Sequence, residues 1–253
     1  MKRPRRLSPG EEATLVEHLD ELRTRLFVSI GAILIGFGVA FAFHERLIRT
    51  LEHALPKERR HLITFGVAEP FLTSMWVSLW AGLGLALPVV LWQLWSFLAP
   101  AFERHSQRIV AVFVAAASML FAAGLAFGYY LALPAAVHFL TNYDKDLFNI
   151  EVRAKDYISF SILVLVATSV VFELPIFILA LVRLGVLTTA KLRRNRKIGY
   201  AIVAAIAVAL PGVDPVTTTL EAVPLLVLYE LSIWLAVLME KRWRPALAAT
   251  EPS

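Results

Sequence analysis

Glu173 is the carboxyl group with the least polar surroundings in this sequence. It is the only charged residue in the apolar run 157–182, and Pro175 follows it by two positions. A helix of that length reaches about 39 Å, more than the ~30 Å of bilayer hydrocarbon. A carboxyl group inside a membrane span usually faces a bundle interior or a wet cavity, where it can bind a polar group or exchange a proton. The run therefore predicts a membrane-spanning helix that carries a polar functional site.

The same carboxyl group also has a purely structural interpretation. Pro175 cannot donate a hydrogen bond to the backbone carbonyl of Val171, so a protonated Glu173 can donate to that carbonyl instead. Glu230, in the last apolar segment, carries the same two interpretations. Asp214 lies in a Pro-Gly turn, where aspartate is common for turn geometry alone. We predict that Glu173, Pro175, Asp214 and Glu230 contribute to a cavity or partner-binding site.

Catalytic and metal-binding patterns find little support in the sequence. It contains no P-loop, no His-Glu-x-x-His pattern and no nucleophile elbow. The absence of cysteine excludes disulfides and thiolate metal sites, and the six histidines are scattered without metal-ligand spacing. We therefore expect no enzymatic activity, no metal and no cofactor.

The composition is that of a polytopic membrane protein. The 253 residues are 58% hydrophobic and 18% charged, with a mean hydropathy of +0.67. Soluble domains are nearer 45–50% apolar and 25% charged. The net charge of +5 does not indicate nucleic-acid binding, because the basic residues cluster at the ends of the apolar segments, where membrane orientation requires them.

Six apolar segments predict an all-α bundle of six transmembrane helices, with a concave shape and both termini in the cytoplasm. The segments are 26–43, 71–97, 109–140, 157–182, 198–210 and 222–239. The last two are predicted to be short: the fifth reaches only about 20 Å, and Pro224 and Glu230 interrupt the sixth. Residues 1–25 form a cytoplasmic tail and an amphipathic helix, residues 26–240 the membrane domain, and residues 241–253 a cytoplasmic tail.

The orientation rests on the distribution of lysine and arginine. With the N-terminus inside, the inner segments hold 17 of these residues and the outer segments 8. An excess of basic residues marks the cytoplasmic side of a membrane protein. The first outer loop is itself rather basic and is the weakest part of this assignment.

Four short motifs, in order along nearly the whole chain, resemble the TatC family, the multi-span core of the twin-arginine protein translocase. The first, HLDELRTRL at 18–26, resembles the HLxELRxRL signature that opens the family. The others are FLAPAF at 97–102, which resembles the FxxPA stretch of the first cytoplasmic loop, FELP at 172–175, which resembles the F-E-x-P of the fourth span, and PGVD at 211–214, which resembles the turn before the sixth span.

The resemblance implies a function and its partners. Proteins similar to TatC recognise substrates that carry a paired-arginine signal peptide, and they recruit TatA/TatB-like single-span proteins in the prokaryotic cytoplasmic (inner) membrane. Folded cargo then crosses the bilayer on the proton-motive force, without nucleotide hydrolysis by this subunit. Self-association of the chain is compatible with the resemblance, and no nucleic acid is implied.

The resemblance also implies a signal-peptide site at the cytoplasmic face. Carboxylates suit a pair of guanidinium groups because they form bidentate, charge-assisted hydrogen bonds. The family commonly places a second recognition glutamate just after the loop histidine, where this chain has Ser106. Glu103 lies three residues earlier, on nearly the same face of a helix, and we hypothesise that it takes over that role. The expected site residues are Glu21, Leu22, Arg23, Phe97, Pro100, Glu103 and Ser106.

Two other classes of protein compete with a translocase. A proton- or ion-coupled transporter of small solutes would use Glu173 as a relay. Such transporters commonly show a pair of broken helices in corresponding halves, which this sequence lacks. An intramembrane enzyme would need a nucleophile with its base, or a metal site, and neither pattern is present.

Overall fold

The computed structural model describes residues 15–98, 107–144, 147, 150–210 and 215–247, which are almost entirely helical. A 3-10 turn lies at Lys57–Arg59, and a π-helical turn at Gly128–Ala132 joins α4 to α5. The α-helices are α1 Leu15–Ala42, α2 His44–Glu52, α3 Glu69–Leu98, α4 Gln107–Phe127, α5 Leu133–Asn142, α6 Ala154–Phe172, α7 Leu174–Arg183, α8 Thr189–Arg194, α9 Arg196–Ala209 and α10 Pro215–Leu247.

Five helical stretches in these described residues are long and apolar enough to cross a bilayer. They are Leu19–Ala42, Glu69–Phe97, Val110–Asn142, Ala154–Arg183 and Thr217–Glu240. The all-helical membrane class is therefore confirmed, while the sixth span and the orientation stay predictions.

The two C-terminal helices differ from each other more than the sequence suggested. Helix α9 has 14 residues, about 21 Å, and is shorter than a bilayer. Helix α10 has 33 residues and continues through Pro224 and Glu230, so the prediction of a short, interrupted last segment is wrong. The length of α10 follows from its neighbours, since it packs along both α7 and α9.

The fourth apolar run is two helices rather than one. Helix α6 ends at Phe172 and α7 begins at Leu174, with Glu173 at the junction and Pro175 in the first turn of α7. The backbone N–H of Glu173 donates to the carbonyl of Val170 at 3.1 Å. The cap N–H groups at this junction also reach the carbonyl of Val171. That carbonyl therefore has a backbone partner, which weakens the structural interpretation of the Glu173 carboxyl group.

A pair of glycines sets the closest helix crossing in the bundle. Helix α1 packs almost entirely on α3, and α3 also packs on α4 and α6. A Cβ atom at Gly36 would lie 2.4 Å from the carbonyl oxygen of Gly82, and a Cβ atom at Gly82 would lie 2.4 Å from the backbone nitrogen of Phe37. Small residues of this kind let membrane helices approach backbone to backbone. The position of α1 therefore depends on Gly36 and Gly82, because any larger residue would prevent this close approach.

Residues 44–68, between α1 and α3, are called the cap segment here. Hydrogen bonds connect the cap segment to the start of α6. The hydroxyl group of Tyr157 donates to the carbonyl of Leu51 at 2.6 Å. Ile63 forms an isolated parallel β-bridge with Arg153. The cap segment begins with the short helix α2. The cap segment thus covers one end of the bundle and fixes α3 relative to α6.

A buried ion pair completes this fastening. Arg153 donates from Nε to Oε1 of Glu69 at 2.9 Å and from Nη2 to Oε2 at 3.1 Å, while Oε2 also accepts from the backbone N–H groups of Phe65 and Gly66. The hydrogen-bonded Glu69 carboxylate raises the pKa of Arg153. The ion pair therefore favours the charged form of Arg153.

Removal of one partner of this pair is expected to destabilise the bundle more than removal of both. Arg153→Ala leaves the buried Glu69 carboxylate without its cation, whereas the double variant Glu69→Gln/Arg153→Ala leaves only a neutral amide that still accepts from the backbone. We expect the melting temperature in detergent to fall for Arg153→Ala and to recover in part in the double variant. Arg49→Ala, which changes an exposed arginine in α2, is the control. A double variant no more stable than the single one would contradict the prediction.

Candidate functional site

Glu21 lies on α1 in a hydrogen-bonded network that reaches the far end of α3. Its Oε1 accepts from Nε of Arg25 at 3.0 Å and from Nη2 of the same side chain at 2.5 Å. Arg25 in turn donates from Nη1 to Oε1 of Gln93 at 3.3 Å. The structure therefore brings the first sequence motif against the end of α3, where the second motif begins at Phe97.

The side chains beside Glu21 point in other directions. Leu22 is 43% exposed, and the Arg23 guanidinium group lies over the ring of Phe27, 5.7 Å from its centroid. Phe97 is half-buried near the end of α3. The other predicted residues of the signal-peptide site, Pro100, Glu103 and Ser106, lie outside the described residues.

Glu173 is buried in the bundle. It is 8% exposed, and its Oε1 has no hydrogen-bond partner among the described residues. The carboxyl group faces the backbone of Phe121 in α4, and Pro175 beside it is fully buried. An oxygen that is removed from water and left without a donor is unfavourable by about 1–3 kcal/mol. Within the described part of the chain, Oε1 of Glu173 can therefore still accept a hydrogen bond.

Glu230 is part of a separate cluster between α9 and α10. Tyr200 donates a hydrogen bond to its Oε1, and Nη2 of Arg196 lies 3.4 Å from its Oε2. The hydroxyl-bearing ring of Tyr229 would collide with any side chain at Gly199. These contacts hold the short α9 against α10, so Glu230 already has partners within the chain. Asp214, the remaining predicted residue of the cavity site, lies outside the described residues.

A long groove opens between α1, α3 and α6, below the cap segment. Its volume is about 1050 Å³, and its mouth is lined by Glu69, Arg153 and Lys155. Its walls are mostly apolar, and they include Leu34, Phe37, Met75, Trp76, Leu79, Ile162, Leu163 and Val166. Glu173 is not among the residues that line this groove, so its predicted role in a cavity or partner-binding site stays a prediction.

The sequence missed several partners that the structure supplies. Arg25 follows Glu21 by four residues, a helical spacing that predicts their ion pair. Gln93 and Arg196 carry no such signal, because they contact Arg25 and Glu230 from other helices. The described residues contain no group of three histidine, cysteine, aspartate or glutamate side chains placed to hold a metal.

Comparison with known proteins gives one consistent answer. The family model for the Sec-independent protein translocase protein TatC matches residues 17–224. The TatC protein of Magnetococcus marinus is 33% identical over 97% of this chain and 92% of its own length. Those of Deinococcus radiodurans and Aquifex aeolicus are each 36% identical, over 92% and 90% of this chain and 91% and 96% of their own lengths.

Solved structures agree with the sequence relatives. A crystal structure described as the twin-arginine translocase receptor TatC matches 87% of this chain and 98% of its own, with 36% identity and a TM-score of 0.73. A second crystal structure of the same receptor in detergent gives a TM-score of 0.75 at the same identity.

The five long apolar helices, with carboxyl groups buried between them, define an integral membrane protein. The family match, which covers most of the chain, identifies which family of membrane proteins this is. The chain belongs to the TatC family of Sec-independent protein translocase proteins.

Proposed function

We propose that this protein binds paired-arginine signal peptides at the cytoplasmic end of α1 and α3. The observation that carries the proposal is the network in which Arg25 links Glu21 to Gln93, because it fixes a carboxylate at the junction of the two helices. The crystal structures that match the chain are described as twin-arginine translocase receptors, which supports a receptor role here.

The network also indicates how a peptide arginine is held. Glu21 already accepts two charge-assisted hydrogen bonds from the Arg25 guanidinium group, both at Oε1, so the carboxylate is placed to bind a guanidinium group. A peptide arginine therefore shares the carboxylate with Arg25 or displaces it. We propose that Glu103, in the loop after α3, supplies the second carboxylate, since two guanidinium groups need more than one anionic partner.

Glu21→Lys is expected to reduce crosslinking of a paired-arginine peptide to the purified protein by at least tenfold. The variant replaces a charge-assisted acceptor, worth about 1.5–3 kcal/mol, with a repelling cation. Asp20→Lys makes the same charge change one residue earlier, at an exposed position, and should bind almost normally. A peptide with paired lysines tests the bidentate geometry, and Glu103→Lys tests the second carboxylate. Equal losses for Asp20→Lys and Glu21→Lys would contradict the site.

We further propose that Glu173 is a docking point for a TatA/TatB-like single-span helix. A polar side chain on that helix supplies the hydrogen bond that Oε1 lacks within the described residues. The export of folded cargo then draws on the proton-motive force across the prokaryotic inner membrane, with both termini of this chain in the cytoplasm. A small-solute transporter is not favoured, because the family match is to a protein translocase.

A further inference from the structure

The groove below the cap segment has the depth of one membrane leaflet. On α3 its lining runs from Glu69 to Trp80, and on α6 from Lys155 to Val166. Each stretch advances eleven residues, about 16 Å along its helix axis. Half of the ~30 Å bilayer hydrocarbon is about 15 Å. The charged mouth therefore lies at the level of lipid headgroups when the apolar floor lies near the bilayer centre.

The charges at the mouth favour an anionic group. The lining carries two cations, Arg153 and Lys155, and one carboxylate, Glu69, which is paired with Arg153. Asp156 lies 3.9 Å from Arg153 but is not part of the lining. The Lys155 side chain is exposed, and in the part of the chain that the structure describes it makes no ion pair. Lys155 is thus the cation at the mouth that is available to a ligand.

The walls beneath the mouth are apolar and open to the bilayer. Met75, Trp76 and Leu79 of α3 are 37%, 45% and 41% exposed, and Leu163 of α6 is 56% exposed. These side chains are almost entirely hydrocarbon, with the indole N–H of Trp76 as their one polar group, so they favour an acyl chain over a polar ligand. The combination of an apolar trough and a cationic mouth is complementary to an anionic lipid.

We propose that this groove binds one anionic phospholipid of the leaflet on the cap-segment side. Lys155 contacts the phosphate group, and the acyl chains lie along α3 and α6 down to Trp80 and Val166. The volume of about 1050 Å³ is at the upper end of the ~300–1,000 Å³ typical of small-molecule sites.

Lipid retention by the purified protein tests the proposal. Native mass spectrometry in detergent would compare phosphatidylglycerol with phosphatidylcholine of the same acyl chains. We expect phosphatidylglycerol to be preferred, and Lys155→Gln to reduce that preference about fivefold, the usual effect of one cation near a lipid headgroup. Lys57→Gln changes an exposed lysine of the cap segment that does not line the groove, and it should leave the preference unchanged.

A second pair of variants tests the apolar trough without altering charge. Leu163→Trp fills the groove and should lower retention of the bound lipid at least as much as Lys155→Gln. Val170→Trp places the same bulk at a position on α6 that is 53% exposed and lies outside the groove, and it should have no effect. Equal retention of the two lipids, or equal behaviour of the two tryptophan variants, would overturn the proposal.

The occupant can be identified directly. A photoreactive amino acid at Leu163 should crosslink to a phospholipid in membranes, both with and without a signal peptide present. Crosslinking to a protein or peptide segment alone would show that the groove holds a polypeptide, and the lipid proposal would then be wrong. The outcome is independent of the Glu21 assay, because the two sites lie at opposite ends of α3.

Discussion

Glu173→Ala is expected to stop export of a folded cargo protein while leaving the helix bundle folded. The carboxyl group is buried, and one of its oxygens makes no hydrogen bond among the described residues, so its removal costs the folded chain little. A partner helix that depends on this carboxyl group loses its hydrogen bond inside the membrane. The measurements are export of a reporter with a paired-arginine signal, crosslinking to the single-span partner, and the melting temperature of the purified variant.

The matched control is Glu173→Gln, which keeps a hydrogen-bonding side chain of the same size but cannot titrate. Substantial export by this variant supports docking through a hydrogen bond. A variant as inactive as Glu173→Ala would indicate that the proton itself is needed, as the proton-relay alternative requires. Unchanged export and unchanged partner crosslinking in Glu173→Ala would refute the docking role, and a large fall in its melting temperature would indicate a structural one.

Gly36→Leu is expected to separate α1 from α3 and to prevent accumulation of the folded protein. A Cβ atom at position 36 would lie 2.4 Å from the backbone carbonyl oxygen of Gly82. Backbone atoms cannot relieve such a clash by changing rotamer, as a side chain can. The destabilisation should exceed the ~1–3 kcal/mol of ordinary overpacking in a core. Because the chain has no cysteine, a disulfide between Phe41→Cys and Phe71→Cys, whose rings lie 6.5 Å apart, reports the helix contact.

Gly38→Leu provides the comparison for this prediction. Gly38 lies two residues further along α1, and a Cβ atom there meets nothing within 4 Å. The variant should keep the disulfide and the yield of the parent protein. If both leucine variants lose the disulfide equally, the loss reflects a general intolerance of α1 and not the crossing at Gly82.

The sequence predicts the helices of this protein well and their interruptions poorly. Apolar length alone located all the long spans, because a bilayer requires every backbone group to be satisfied within the helix. Three prolines illustrate what length cannot predict. Pro175 follows a break at Glu173, whereas α3 and α10 continue through Pro88 and Pro224. A proline removes one hydrogen bond in each case, and the packing of neighbouring helices decides whether the helix continues.

The candidate site was predictable where it depends on local spacing. The Glu21–Arg25 pair follows from a separation of four residues on one helix, whereas the contact of Arg25 with Gln93 spans 68 positions and has no local signal. The groove was not predicted at all, because it arises from the placement of three helices that are separate in sequence. The charge of Glu173 in an apolar run indicated a polar site, and its burial at 8% exposure depends on the packing of neighbouring helices, which the run alone does not predict.

The cap segment has a consequence for biosynthesis. Its contacts with the start of α6, together with the adjoining Glu69–Arg153 ion pair, join residues 84 to 106 positions apart in the chain. A ribosome that adds about 5–20 residues per second needs roughly 4–20 s to make that length. During this interval α1 to α3 have already been synthesised, while Arg153 has not reached Glu69. These contacts cannot form in a nascent chain until the fourth apolar run has been inserted. Until then, one end of the helix bundle stays open.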